Sequence, residues 1–434
     1  MQAVLAHPDI KEQFASFPDL LPSDAFKGVR KQAMNRFLSE GLPATRDEEW
    51  KYTDLSGIAE LRYTSGRAAE LTELNRSQIT ASLFDEQEYH RLVFVNGFFS
   101  GELSSPAALP GGVIVSDIAS VAEKHPALLE KYFYSSPNSL HALNTALTAG
   151  GMFLSVPDGV SVSKPIQALF FNTSPDATAI FPKNIILAGN KSRVHIVQQY
   201  ASTEKNISFT NAVTDVSLGK NAEMLLYKTE ALSPASFLTD SCIVMQQHGS
   251  RFSSLVFTMG GQLVRNNLGI TLEGEQCETA MHGLYLVPGT GHTDNHTFVD
   301  HASPSCHSNE LYKGIIGGKG TAVFNGKIMV RKDAQKTSAF QSNKNILLSD
   351  EGTVNSKPQL EIFADDVKCS HGATIGQLDE EELFYLRARG IGEDAAREML
   401  LNAFASSVVD TIQIASFREY MAGRLQEYLP FLRK

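Results

Sequence analysis

Ile185-Ile186-Leu187-Ala188-Gly189-Asn190-Lys191-Ser192-Arg193-Val194-His195-Ile196-Val197 holds one unit of a repeat: an apolar run, a polar turn containing glycine, and a second apolar run. β-Branched residues suit a pleated, buried surface, and Gly-Asn-Lys-Ser suits a turn. The phrase returns along the chain. Gly159, Gly189, Gly219 and Gly249 stand 30 residues apart, beside the runs Phe153–Val156, Ile185–Ala188, Val216–Leu218 and Ile243–Met245. Second runs follow at Val194–Val197, Met224–Tyr227 and Leu255–Phe257, and the phrase recurs less regularly near Gly274, Gly320 and Gly352. A period of this length marks units that bury their apolar faces by stacking on their neighbours. The competing architecture is a large antiparallel β-sandwich with evenly spaced turns. More than six comparable units are hard to fit into one sandwich, so a β-solenoid over residues 151–376 is expected.

The flanks read as helical. Residues 1–150 form a mainly helical region with a short hairpin. Ser23 can cap a helix whose Phe26, Val29, Ala33 and Phe37 share a face, and Gly41 is placed to end it. Leu92–Val95, Asn96-Gly97 and Phe98-Phe99 give a two-residue hairpin signal. Helical patterning returns from Asp117 to Leu147 and stops at Gly150-Gly151. In residues 377–434, Asp379 with Glu382 opens a helix over Glu380–Arg389, and Gly390 stops it. A second helix aligns Ala396, Leu400, Phe404 and Val408; a third aligns Ile414, Phe417, Met421, Leu425 and Tyr428. Such stripes more often pack on their own domain than on a partner.

With 434 residues the chain can bury large cores, and 42% hydrophobic with 20% charged residues is ordinary for a globular protein. A net charge of −10 gives no basic footprint for nucleic acid or acidic lipid. Asp9, Lys11, Glu12 and Asp19 interrupt the first residues, so no secretory segment is drawn there, and a cytoplasmic location is expected. Four cysteines, Cys242, Cys277, Cys306 and Cys369, are scattered without a C-x-x-C, which suits a reducing compartment.

The chemistry concentrates where the repeat ends, at Val367-Lys368-Cys369-Ser370-His371-Gly372. In a strand, residues i and i+2 share a face, so Cys369 and His371 can reach one metal or cluster together. Two ligands are half of a tetrahedral set, and the others must come from elsewhere in the fold or from another chain. The bland alternative is a buried thiol and a hydrogen-bonded imidazole at a strand end. The densest His/Cys segment, His292 to His307, lacks ligand spacing: His296 and His301 fall on opposite faces of a strand. No G-x-S-x-G, phosphate-binding loop or dinucleotide fingerprint occurs, and Gly317-Gly318-Lys319-Gly320 lacks the spacing for nucleotide binding. Asp365 and Asp366 are adjacent and face opposite ways, a poor acid/base pair.

Three stretches carry a resemblance: Gly41-Leu42-Pro43 with Glu49-Trp50-Lys51-Tyr52-Thr53; Asp294-Asn295-His296-Thr297 through Asp300-His301 to Leu311-Tyr312-Lys313-Gly314; and Leu360 through Gly372-Ala373-Thr374 to Phe384-Tyr385-Leu386-Arg387-Ala388-Arg389-Gly390-Ile391. They are similar, in order and over essentially the full chain, to the SufB/SufD family of iron-sulfur cluster assembly proteins. His371-Gly372-Ala373-Thr374 and Phe384-Tyr385-Leu386 look like the SufD type rather than the SufB type. The resemblance implies a right-handed parallel β-helix flanked by helical regions. It also implies a non-catalytic scaffold subunit that pairs with SufB through the β-helix and with the ABC-type ATPase SufC through the C-terminal helices.

By position, the family's cluster-building histidine is His371, with Cys369 beside it at the SufB interface, where a transient Fe–S cluster is expected. The isolated chain is then expected to hold no tightly bound cofactor, and ATP belongs to SufC alone. Docking of SufC is expected to use the stripe around Phe404, Phe417 and Met421. Other classes are a stand-alone homodimeric β-helix binding module and, less favoured, a polysaccharide-acting β-helix enzyme. A homodimer in isolation is compatible with the scaffold reading.

Overall fold

The computed structural model describes residues 9–21, 24–67, 71–106, 109–135 and 137–433, so Ser23, read as a helix cap, lies outside them. From Met152 onward the chain winds through two parallel sheets, placing one strand in each per coil. The first coil joins Met152–Val156 to Ile166–Asn172, and the eighth joins Thr353–Ile362 to Val367–Gly376, the first strand of each coil lying in sheet A and the second in sheet B. In sheet A the last paired residues step from Ala188 to Leu218, Gln246, Leu272, His301, Val330 and Ile362. Strand pairs between successive coils are parallel throughout, so the architecture is the β-solenoid that the glycine period predicts and not an antiparallel sandwich.

Tight corners explain the glycines. A Cβ on Gly219 would stand 2.7 Å from the Asn190 backbone nitrogen of the coil below, closer than real contacts allow. Beside each such corner a residue takes a left-handed conformation, among them Lys191, Gln276, Ser305 and Lys336 at φ 57°, 60°, 60° and 59°. At several corners the residue after it turns inward and bonds a nearby turn carbonyl: Ser192 Oγ to Gly189 O at 2.7 Å, Thr337 Oγ1 to Ala334 O at 2.9 Å. Cys277 and Cys306 occupy the same place, their Sγ atoms 3.2 and 3.3 Å from Gly274 O. These thiols do the work of corner hydroxyls, which accounts for two of the scattered cysteines.

The N-terminal region covers one end of the solenoid. Asn96 and Gly97 adopt φ 51° and 90°, the left-handed pair of a two-residue hairpin between Phe94-Val95 and Phe98-Phe99. The hairpin's long strand, His90–Val95, then adds to sheet B parallel to Ile166–Phe171, and Ile114–Asp117 adds to sheet A. The helix Ser139–Leu147 is locked beside them, with Asn144 Nδ2 donating to Pro182 O and Asn211 O, both at 2.9 Å. At the other end no described strand pairs with the outer edge of either last strand.

The C-terminal helices lie on the outer face of sheet B. Asp379 caps the helix Glu380–Ala388 through Glu381 N and Glu382 N at 2.8 and 3.1 Å, as its spacing suggests. The helices Glu393–Val409 and Ala415–Tyr428 bury Leu401, Ala405, Phe417, Met421 and Leu425 against Val197, Tyr227, Leu255 and Phe257. Phe417 stacks on Tyr227 with ring centroids 5.5 Å apart. Phe417 and Met421 are both 0% exposed. Their assignment to a docking surface for a second protein is therefore corrected: an apolar stripe matched to a sheet face of the same chain buries itself there first. No described helix is long and apolar enough to cross a membrane.

Replacing Phe417 with Ala removes the ring that joins the last long helix to Tyr227. It should cost about 3–5 kcal/mol and lower the midpoint of thermal unfolding by several degrees. A calorimetric midpoint unchanged from the parent would mean that the helices do not cover sheet B.

Candidate functional site

The open end of the solenoid brings together the residues singled out at the end of the repeat. Val367–Gly376 runs in register with Thr337–Ile346, placing Cys369 on Ala339 and His371 on Gln341. One coil below, Ser308 and Glu310 continue those two columns. Ser308, Glu310, Ala339 and Gln341 are all buried, so both columns face the interior. Cys369 packs against the interior apolar cluster, and the period of two puts His371 on the same inner face. Their Cα atoms are therefore about 6.7 Å apart along the strand. The shared face follows from sequence spacing; that it is the inner face of an uncapped coil does not.

Cys369 is half-buried, and burial raises its thiol above the ordinary cysteine range. His371 is exposed, because no ninth coil covers it. Among the described residues no three His, Cys, Asp or Glu side chains converge into a metal-binding set. The pair thus presents a soft sulfur and an imidazole nitrogen, half of a tetrahedral set, from the mouth of the solenoid. Around the mouth stand exposed apolar side chains, Ile362, Phe363 and Ile375, with Phe363 63% exposed.

Beneath the mouth the interior is polar. Gln341 Nε2 donates to Glu310 Oε2 at 2.7 Å. Beside them Tyr285 Oη donates to Asn345 Oδ1 at 2.6 Å, and Asn343 Nδ2 donates to Tyr285 Oη at 2.8 Å. Ser356 of the last coil donates to Asn343 Oδ1 at 2.8 Å, tying the network to the rim. Deeper, Glu230 accepts from Thr258 Oγ1 at 2.6 Å and Asn266 Nδ2 at 3.1 Å, and Lys228 pairs with Asp240. Burial pushes the Glu230 and Glu310 carboxyls up to about 7, against the hydrogen bonds they accept. Sequence alternation hides this column, since each polar residue takes an inward position that the pattern assigns to apolar core.

The His292–His307 segment is not a ligand set. His301 points inward and bonds Ser308 Oγ at 2.9 Å, while His292, Asp294 and His296 lie on the outer face of sheet A. There they clasp the N-terminal Glu49-Trp50-Lys51-Tyr52-Thr53 segment. His296 lies 3.3 Å from Glu49 Oε2 and 3.1 Å from Asp294 Oδ1, and Thr53 meets both His292, at 3.0 Å, and Asp294. Arg265 pairs with Asp294 and lies 4.1 Å over the Trp50 ring. Burial works to raise the Asp294 carboxyl, but Arg265, His296 and Thr53 overcome it and hold it at about 2. Two signature stretches far apart in sequence are thus one structural joint.

Of the residues expected to meet a partner through the C-terminal helices, Phe404 alone is partly accessible, and Lys313 covers it: Nζ lies 4.4 Å from the ring centroid and donates to Phe404 O at 2.8 Å. Exposed aromatics lie one helix earlier, and Phe431 is exposed after the last long helix. Phe384 and Tyr385 are 73% and 58% exposed, with the Arg389 guanidinium 5.2 Å over the Tyr385 ring, and Met399 is exposed on the following helix.

Comparison with known proteins agrees with this architecture. Residues 170–404 match the SUF system FeS cluster assembly SufBD core domain, and residues 16–168 match the SufBD protein N-terminal region. An iron-sulfur cluster assembly SufBD family protein of Synechocystis is 33% identical, covering 92% of this chain and 89% of its own length. The iron-sulfur cluster assembly protein SufD of Escherichia coli is 30% identical with 92% of each chain covered, and that of Bacillus subtilis is 28% identical over 96% and 97%. The chain belongs to the SufBD family of iron-sulfur cluster assembly proteins.

The buried glutamates make stability depend on pH. In the unfolded chain each titrates near the ordinary value of 4.5, and in the folded chain near 7. Between these values the folded state holds the extra proton, so their contribution is complete below about 4.5 and is lost as pH rises through 7. Buried His141 and His301, lowered to about 3 and about 4, act oppositely, losing stability as pH falls below 6.5. Comparison with Glu310→Gln isolates the glutamate: the variant should gain on the parent as pH rises from 5 to 8, by roughly 3 kcal/mol. Parallel stability curves in denaturant titrations across that range would contradict a buried, proton-holding Glu310.

Proposed function

We propose that this chain is a SufD-type scaffold subunit of the SUF assembly machinery, without catalytic chemistry of its own. The observation that carries this reading is half a ligand set, Cys369 and His371, on the inner face of an uncapped solenoid coil. An incomplete set at a chain's open end suits a cluster that a second chain completes. The edges of Thr353–Ile362 and Val367–Gly376 each offer a row of backbone donors and acceptors, and Phe363 and Ile375 offer apolar area beside them. A SufB-type solenoid docked on this end would supply both strand partners and the remaining ligands. The cluster is then cargo, assembled between chains and released when they part. The same edges suit a second copy of this chain when SufB is absent.

The SufC-type ATPase is assigned to the C-terminal helical region, with ATP bound by that partner. Its contact is moved from Phe417 and Met421 to Phe384, Tyr385 and Met399, which are exposed apolar side chains on the first two helices of that region.

The test is co-purification of the tagged chain with the SufB- and SufC-type proteins of the same organism. A stable ternary complex is expected, and His371→Ala within it should lower cluster formation at least about tenfold, read by iron, sulfide and visible absorption. Recovery of the chain alone, with both partners folded, overturns the scaffold role. The double variant Phe384→Ala/Tyr385→Ala should weaken SufC binding tenfold or more, as loss of central aromatic anchors does, and leave the thermal midpoint near that of the parent. Undiminished SufC binding would remove those side chains from the interface.

A further inference from the structure

Gln341 holds a buried acceptor that no described residue uses. Its side chain is 3% exposed, yet Oε1 has no hydrogen-bond partner. The amide nitrogen is committed to the coil beneath, donating to Glu310 Oε2 at 2.7 Å. An amide pinned by its nitrogen on one side turns its oxygen away from that side. The next residue in the column, paired in register and on the same inner face, is His371. The space around the amide is shaped for it: a Cβ on Gly326, across the interior, would stand 2.2 Å from Gln341 Nε2. Any larger residue there would displace the amide.

We infer that Gln341, braced by Glu310, orients His371: Gln341 Oε1 accepts the N–H of one ring nitrogen and turns the other, unprotonated nitrogen out of the solenoid mouth. This deepens the proposed function and rests on His371 being a ligand there. An imidazole that binds metal donates its second N–H to an acceptor that sets tautomer and ring angle, and loss of that acceptor typically costs about 10–100-fold in affinity or activity. The mouth lacks any covering coil, so a histidine on it has no packing to fix its ring. A buried amide below it supplies the constraint from inside. Gln341 and Glu310 are positioning residues in this arrangement, Glu310 acting through Gln341.

Two-bond proton–nitrogen correlation on the isolated chain, carrying ¹⁵N-histidine and held at a pH where the ring is neutral, reads the tautomer directly. His371 is expected in a single tautomer. Gln341→Leu, similar in size but without hydrogen-bonding atoms, should give the mixture typical of free imidazole. Glu310→Gln with Gln341→Glu, which exchanges donor and acceptor, should restore the single form. In the complex with SufB- and SufC-type partners, Gln341→Leu should lower cluster formation about 10–100-fold. A mixture of tautomers at His371 in the parent chain overturns the inference, and that spectrum decides even where the variant does not fold. So does an unchanged His371 signal in folded Gln341→Leu, or cluster formation that survives loss of the single tautomer. His371→Ala separates the two levels: full cluster formation in that variant removes the proposed function, while a fixed tautomer in the parent leaves the orientation standing.

Discussion

Hydrogen-bond register between stacked coils is the constraint from which the rest of the structure follows. Each strand pairs in parallel with the strand of the preceding coil, so a residue's column is decided by how many residues separate it from its counterpart one coil earlier. A slip of one residue would exchange the inner and outer faces of a whole strand. His371 would then leave the interior column and Lys368 would enter it. The corners guard against such a slip: left-handed residues and close-packed glycines such as Gly219 admit few chain lengths at each turn. The register is therefore enforced locally, coil by coil, and its product is delivered at the far end.

A solenoid has two ends, and this one treats them differently. His90–Val95 and Ile114–Asp117 extend the sheets at the start, and helices close over them. The last coil has no such cover, although an exposed pair of long strand edges is a hazard for aggregation. Lys357 and Pro358 blunt one of these edges, but neither edge is short. Both last strands are ten residues long, and the inner face of Val367–Gly376 carries Cys369, His371, Ala373 and Ile375. An edge left open in this way, beside exposed Phe363, fits the interface proposed above.

Much of this was legible in the sequence, and what was not has identifiable causes. The glycine period, the Asn96-Gly97 hairpin and the Asp379 cap rest on local backbone preferences, and local preferences survive folding. The common face of Cys369 and His371 rests on the strand period and survives equally. The partner stripe at Phe417 and Met421 did not, because amphipathicity says that a face will be buried and not by what. The polar column of Glu310, Gln341 and Asn343 was invisible for a related reason. A polar residue at an inward position reads as an interruption until the coils are stacked and its neighbour, thirty or so residues away, proves to be polar as well. The joint between Trp50, Arg265, Asp294 and His296 was visible only as separate signature stretches, since no sequence rule pairs residues so far apart.

A polar interior next to an open end carries a thermodynamic argument about function. Glu230, Glu310, Lys228 and Asp240 sit where apolar residues would pack as well, and buried ionisable groups are weak contributors to stability even when paired. A solenoid built for stability alone would fill its coils with branched aliphatics, as the first coils do with Ile186, Val194 and Ile196. Polar filling runs through the coils from Asn184 and Gln198 by way of Lys228 and Asp240 to Glu310 and Gln341, and so reaches the open coil. A column of fixed dipoles there can hold His371 in one orientation without any covering layer above it. A covering layer would supply the same rigidity but would close the mouth, and the proposed scaffold role needs the mouth open. Rigidity from below and access from above are compatible only if the supporting groups are buried and polar, as Glu310 and Gln341 are, with Gln341 Oε1 left free for the orientation of His371 inferred above.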